Sequence, residues 1–163
     1  DIALDKIGGS SLVDSDFDSN GDLKSEIPPT YQPARNTIFL SIALAYAETL
    51  KVDEIFIGTN TLDYSGYPDC RTEYIKAYEK LANLATKRAT EDNKKIQIQT
   101  PLALMDKKEI ILEGDRLGVD FKLTNSCYFP LKFGIPCGDC DSCHIRAKGF
   151  KLAMLIDPLI KED

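Results

Sequence analysis

Four of the five cysteines in this chain crowd into residues 127–143, as Cys127 and the run Cys137-Gly-Asp-Cys140-Asp-Ser-Cys143. A segment so rich in thiols must fold around whatever the sulfurs share. Four thiolates match the tetrahedral, soft-ligand preference of Zn²⁺. A Cys-x-x-Cys turn sets two sulfurs on one side of a tight loop, Gly138 eases that turn, and Cys143 falls in the first turn of a helix beginning near Asp141. With all four positions taken by Cys, no coordination site is left for water, so the expected ion is structural, one per chain.

An iron–sulfur cluster would use the same four thiolates and stays open on the sequence. A disulfide framework belongs to exported chains, and the start DIALDKIGG has neither a basic nor an apolar signal region. The expected address is therefore the cytoplasm. No apolar stretch approaches the roughly 18 residues of a membrane span, so no membrane partner is expected. A net charge of −6 argues against direct binding to nucleic acid, since affinity for phosphate backbones comes from Lys and Arg. His144, the one histidine, reads as a solvated ring beside a completed ligand set, and Cys70 as a buried, inert thiol.

At 163 residues the chain can bury a real core. Residues 1–30 read as loop with one short helix around Ile2–Ile7, or as a solvated linker. The run from Asn36 to Leu50 is apolar nearly all round and reads as a buried helix capped by Asn36 or Thr37. Residues 53–59 suit a strand buried on both faces. A helix over 72–88 carries Tyr74, Tyr78, Leu81 and Ala85 on one face, with Ile75 and Ala82 beside them. A strand over 95–101 follows, then a helix over 106–117 capped by Asp106 and closed by Gly118. Alternating strands and helices place the chain in the α/β class, with parallel strands joined by helical crossovers. The expected units are an α/β domain over 1–120 and a zinc-binding element with a terminal helix over 121–163.

Ligands of open α/β sheets bind at the carboxyl ends of the strands. The segment NTLDYSGYPDCR sits there and gathers Asp63, Ser65, Tyr67, Asp69 and Arg71. Such groups can read the edge of a flat polar heterocycle, with Tyr64 or Tyr67 stacking on it. They can equally form a polar turn that caps the next helix. Arg35, at the start of a helix, can pair with a carboxylate or phosphate beside the helix N–H donors, or lie on the surface. Lys107 and Lys108 open a helix where cations oppose the dipole, which hints at a nearby anion.

The segments YQPARNTIFLSIALAYAE, IGTNTLDYSGYPDCRTEYI and CGDCDSCHIRAKGF occur in this order. Together they closely resemble the 7-cyano-7-deazaguanine synthase family of queuosine and archaeosine biosynthesis, over about Ile7 to Phe150. The resemblance implies the PP-loop ATP pyrophosphatase superfamily, a Rossmann-like parallel sheet flanked by helices, and a carboxyl-terminal zinc site. It implies that 7-carboxy-7-deazaguanine is activated with ATP and Mg²⁺ as an acyl adenylate, that ammonia gives the amide, and that a second activation dehydrates the amide to the nitrile. It maps the zinc thiolates onto Cys127, Cys137, Cys140 and Cys143. It makes Arg35, Asn36, Asp63, Ser65, Tyr67, Asp69 and Arg71 candidates for substrate contacts, and it suggests a homodimer.

One departure is large. The family's ATP-binding loop, Ser-Gly-Gly-x-Asp-Ser after a first strand, is absent. Gly8-Gly9-Ser10-Ser11 lacks the preceding apolar strand and the Asp. The expectation is that the first strand–loop–helix unit is missing and that these residues alone do not hydrolyse ATP. Two rivals remain. One is a related PP-loop enzyme for another carboxylate or a protein substrate. The other is a zinc-ribbon module on nucleic acid, which would need a basic face from Lys132, Arg146, Lys148 and Lys151.

Overall fold

A computed structural model of the chain describes residues 2–14, 27–61 and 66–160. These divide into two compact units, 1–103 and 104–163. The first unit contains helix α1 (Arg35–Leu50), strand β1 (Glu54–Phe56), helix α2 (Thr72–Ala85), the short helix α3 (Lys87–Thr90) and strand β2 (Gln97–Gln99). The strands are parallel, with Glu54 opposite Gln97, Ile55 opposite Ile98 and Phe56 opposite Gln99. The α/β class is as expected: a parallel pair whose crossover is helical, flanked by helices.

One core unites the elements: Leu40, Leu44 and Ala47 from α1, Ile55 from β1, Ile75, Tyr78 and Ala82 from α2, and Ile96 and Ile98 at β2. Hydroxyls join the two helices at one-turn steps, Thr37 to the Tyr74 hydroxyl at 2.8 Å and Ser41 to that of Tyr78 at 2.9 Å. Both bonds advance by four residues in the same sense, so α1 and α2 run side by side in parallel. The far edge of β2 is closed by side chains of α2. The Asn83 carboxamide donates to the Ile96 carbonyl and accepts its N–H, at 2.8 and 2.9 Å, and Glu79 Oε2 accepts the Ile98 N–H at 2.8 Å. Side-chain groups thus satisfy backbone that a further strand would otherwise have to meet.

Three expectations change. The helix expected over 72–88 breaks at Thr86, which adopts extended backbone (φ −107°, ψ 143°). Tertiary anchors outweigh propensity there. Glu48 accepts the Arg88 N–H at 3.2 Å, and the Arg88 guanidinium binds Asp53. The buried face of α2 is Ile75, Tyr78 and Ala82, while Leu81 and Ala85 are exposed. Nor is burial two-sided: Phe39, Ile42, Tyr46 and Leu50 of α1 and Phe56 of β1 are exposed, because the core lies against one side of each element among the described residues.

The amino-terminal segment is folded and not linker-like over 2–14. A single 3-10 turn spans Leu4–Lys6, Ser10 is fully buried, and Gln32 donates to the Gly8 carbonyl at 3.1 Å. Gly8 and Gly9 take positive φ (73° and 81°), and the Asp14 carboxylate accepts the Gly9 N–H at 2.5 Å. That glycine turn is thus filled by the chain's own anion.

The second unit holds helix α4 (Lys107–Arg116) and helix α5 (Asp141–Ala153). Helix α4 falls within the second compact unit. Helix α4 belongs with the cysteine segment because Ile111 packs with Phe150 and Ala153 of α5. The expected cap is present as a reciprocal pair. Asp106 Oδ1 accepts the Glu109 N–H and Glu109 Oε2 accepts the Asp106 N–H, both at 2.8 Å. Gly118 closes the helix at φ 73°. A Cβ built on Gly149 would lie 2.5 Å from Lys107 Cγ and 2.9 Å from Ile111 Cδ1, so the stem of Lys107 packs on α5.

That close approach sets a prediction. Gly149→Ala gains up to about 1 kcal/mol of helix propensity, but overpacking against Lys107, close to its backbone, costs about 1–3 kcal/mol. The expected net effect is a lower urea midpoint with an unchanged slope. A midpoint above the wild-type value would mean that α4 and α5 are not this close.

Candidate metal centre and the 66–71 loop

The four clustered cysteines converge. Their Sγ atoms all lie within 4.8 Å of one another, and no other described group of three or more His, Cys, Asp or Glu residues does the same. A tetrahedron of Zn–S bonds of about 2.3 Å has sulfurs roughly 3.8 Å apart. The Cys137 and Cys143 sulfurs are at 3.9 Å, so these ligands fit a metal of that size with small adjustment. All four thiols are free of disulfides.

Local structure explains the convergence. Asn125 spans the 127–137 loop: its Oδ1 accepts the Cys127 N–H and its Nδ2 donates to the Gly134 carbonyl, both at 2.8 Å. The Cys137 N–H donates to Cys127 Sγ at 3.2 Å. Gly138 takes φ 79°, which turns the chain between Cys137 and Cys140. Cys140 is the residue before α5, and Cys143 is buried in its first turn. His144 is exposed and lies outside the sulfur group, in accord with its solvated reading.

The thiols differ in acidity. Burial opposes ionisation of Cys140, but hydrogen bonds from the backbone at Tyr128 and Cys143 and from neighbouring thiols outweigh it and bring Cys140 to about 6. Burial pushes Cys143 up to about 12, more than the backbone at Gly138 offsets. Hydrogen bonds from the backbone at Asp139 and Cys140 lower Cys137. One sulfur is therefore ready as a thiolate and another ionises only with a cation beside it.

Arg146 anchors this cluster from behind. Its Nε and Nη2 grip Asp157 at 2.6 and 2.8 Å, and its Nη1 donates to Thr124 Oγ1 at 2.9 Å. The guanidinium also lies 5.0 Å from the Phe150 ring centre. Arg146 is 7% exposed, so it is withdrawn from any basic face near the cysteines.

The loop candidates part into groups. Asp63 and Ser65, with Tyr64, lie outside the described residues. Asn36 and Asp69 are both buried and are bonded to each other. Asp69 Oδ2 accepts the Asn36 backbone N–H at 3.0 Å, and Asn36 Nδ2 donates to the Asp69 carbonyl at 3.1 Å and to Cys70 Sγ at 3.3 Å. The cap of α1 is thus Asp69, from another element, and not Asn36 or Thr37. The helix end expected to receive an external anion already meets a carboxylate of the chain. Tyr67 is buried, with its hydroxyl 2.6 Å from Thr30 Oγ1 and its ring 5.9 Å from that of Tyr31. Arg35 is half-buried at the start of α1, and Arg71 is exposed at the start of α2. Burial raises the Cys70 thiol, with the Asp69 charge adding to it, which fits an inert cysteine. The residue missed by reading the sequence is Thr30; a lone Thr after Pro28-Pro29 carries no signal that it meets Tyr67.

A family model described as queuosine biosynthesis protein QueC matches residues 1–154. The 7-cyano-7-deazaguanine synthase of Syntrophus aciditrophicus (strain SB) is 54% identical over 166 residues, covering 99% of this chain and 71% of the relative. The proteins of that name from Hydrogenovibrio crunogenus and Geobacter sp. (strain M21) are 56% and 57% identical, over 98% and 96% of this chain and 69% of each relative.

Two outcomes follow from the geometry. Asp69→Ala removes the α1 cap and leaves a buried N–H unmet, so stability should fall by about 2 kcal/mol in urea unfolding. Asp69→Asn retains an acceptor and should lose less; equal losses would rule out the capping role. Metal analysis should find one zinc per chain, and none in Cys140→Ala. Because four protons must leave the thiols, zinc retention should weaken as pH falls from 8 to 5. Retention that is flat over that range would count against thiolate ligation.

Proposed function

The chain belongs to the QueC family of queuosine biosynthesis proteins, and on that premise we propose that it converts 7-carboxy-7-deazaguanine and ammonia to 7-cyano-7-deazaguanine at the expense of ATP. What carries the reading is a family match that runs unbroken through residues 1–154, taking in both the 66–71 loop and all four clustered cysteines. The relatives' name describes a synthase, hence a ligase-type enzyme.

In this scheme a substrate carboxylate oxygen attacks the α-phosphorus of ATP and pyrophosphate leaves. Ammonia then attacks the acyl carbon and displaces AMP, giving the amide. The amide oxygen attacks the α-phosphorus of a second ATP, and pyrophosphate leaves again. Loss of protons from nitrogen and departure of AMP leave the nitrile. Mg²⁺ would accompany the ATP phosphates. Arg35 and Arg71 are the cations suited to anionic groups, with Asp63 and Ser65 as further contacts. Asn36, Tyr67 and Asp69 position the loop. We read the parallel strands and crossover helix as part of a Rossmann-like sheet. Cys127, Cys137, Cys140 and Cys143 would hold a zinc ion, which would supply folding energy and no chemistry.

The reading includes a cytoplasmic location and a homodimer; no helix among the described residues is long and apolar enough to cross a membrane. The nucleic-acid alternative is weakened by the burial of Arg146 against Asp157. A related PP-loop activity on another carboxylate remains the competitor.

The test is direct. The full-length protein, given the acid, ATP, Mg²⁺ and ammonium, should form the nitrile and AMP by mass spectrometry. Residues 1–163 alone should release no AMP, because Ser-Gly-Gly-x-Asp-Ser is absent from them. Unchanged acid in the folded, zinc-loaded full-length protein would refute the assigned reaction, and AMP release by residues 1–163 would refute the assigned role of that loop.

A further inference from the structure

A cavity of about 250 Å³ lies in the first unit, lined by Thr59, Cys70, Thr72, Lys76, Glu79 and Thr100 around an apolar wall that includes Ile75 and Ile98. Thr59 follows β1, Thr100 follows β2, and Thr72 opens the crossover helix α2. This is the carboxyl end of a parallel pair, where sheets of this class bind ligands. The volume is several times the ~30 Å³ share of one water. It falls just below the ~300–1,000 Å³ of drug-sized sites. A nucleobase-sized molecule suits it.

Thr59 is 4% exposed, and its hydroxyl is the buried side-chain oxygen with no hydrogen-bond partner among the described residues. Thr59 lines the cavity, and an unmet buried hydroxyl costs roughly 1–3 kcal/mol, a cost that a polar group brought within its reach would offset. Glu79 uses Oε2 on the Ile98 N–H, which leaves Oε1 open as an acceptor. Lys76 is exposed on the same helix, one turn before Glu79, and makes no ion pair among the described residues. The lining thus offers an open acceptor, an unpartnered hydroxyl and a cation about one helical turn of ~5 Å from the acceptor.

We propose that this cavity holds the ring of a planar, nucleobase-sized heterocycle bearing a carboxylate, with Glu79 and Thr59 meeting its polar edge and Lys76 its carboxylate. This rests on the reading of the protein as a 7-carboxy-7-deazaguanine enzyme, and it assigns the ring's polar contacts to residues outside the 63–71 loop. Cys70 forms part of the wall as a neutral thiol held by Asn36.

Calorimetry on the zinc-loaded full-length protein tests this with two probes, 7-carboxy-7-deazaguanine and 7-deazaguanine, which lacks the carboxylate. Thr59→Val keeps the side-chain shape and breaks no bond among described residues, so its thermal midpoint should not fall. It should weaken both probes about tenfold, since a good hydrogen bond is worth about 1.4 kcal/mol. Lys76→Met should weaken the acid at least tenfold and leave 7-deazaguanine unchanged. Wild-type affinity for the acid in both variants would overturn the cavity assignment while leaving the proposed function intact. So would loss of both probes equally in Lys76→Met. Failure of the wild-type protein to bind or convert the acid would overturn the proposed function and this site with it.

Discussion

The carboxylate of Asp69 is the point on which the first unit turns. It caps α1 by accepting the Asn36 N–H, while Asn36 reaches back to the Asp69 carbonyl and the Cys70 sulfur. A buried acceptor that meets a helix end satisfies two demands together: the orphan donors of the helix and the need of a buried charge for partners. The Pro68–Cys70 turn is thereby held against α1, and α2 begins two residues later. The tyrosine hydroxyls then hold α2 beside α1, and Asn83 and Glu79 fasten α2 to the edge of β2. The cavity at the strand ends exists because α2 is held there at its start and along its length.

The second unit repeats the logic with a cation. Arg146, on the helix α5 that carries Cys143, joins the 121–124 segment that leads to Cys127 and Asp157 just beyond the helix. Charged hydrogen bonds to carboxylate and carbonyls stabilise an arginine that is otherwise expensive to bury. The sulfurs are thus brought together by a framework of the chain's own, at a spacing that could hold a metal ion.

Much of the site was legible before any coordinates. The Cys-x-x-Cys spacing, the glycine between the pair and the helix start at Asp141 all specify local geometry, and the four sulfurs do converge. The capping box at Asp106 and the stop at Gly118 are likewise short-range features. Asn36, Tyr67 and Asp69 were less transparent. Polar groups in a loop look alike whether they face a ligand or one another, and the partner that decides it lies 33 residues away for Asn36 and 37 for Tyr67.

The amino-acid sequence by itself determined the clustered-cysteine segment, the α/β alternation and the helix ends whose caps lie within a few residues. Each depends on spacing, chirality and local hydrogen bonding, which neighbours along the chain decide. Tertiary structure alone decided that Thr86 breaks a continuous helical pattern, that Asp69 caps a helix it does not precede, and that Thr59 lines a cavity while its hydroxyl meets no partner among the described residues. The reason is that burial and long-range pairing set the energies at these positions, and neither is a property of a residue and its immediate neighbours.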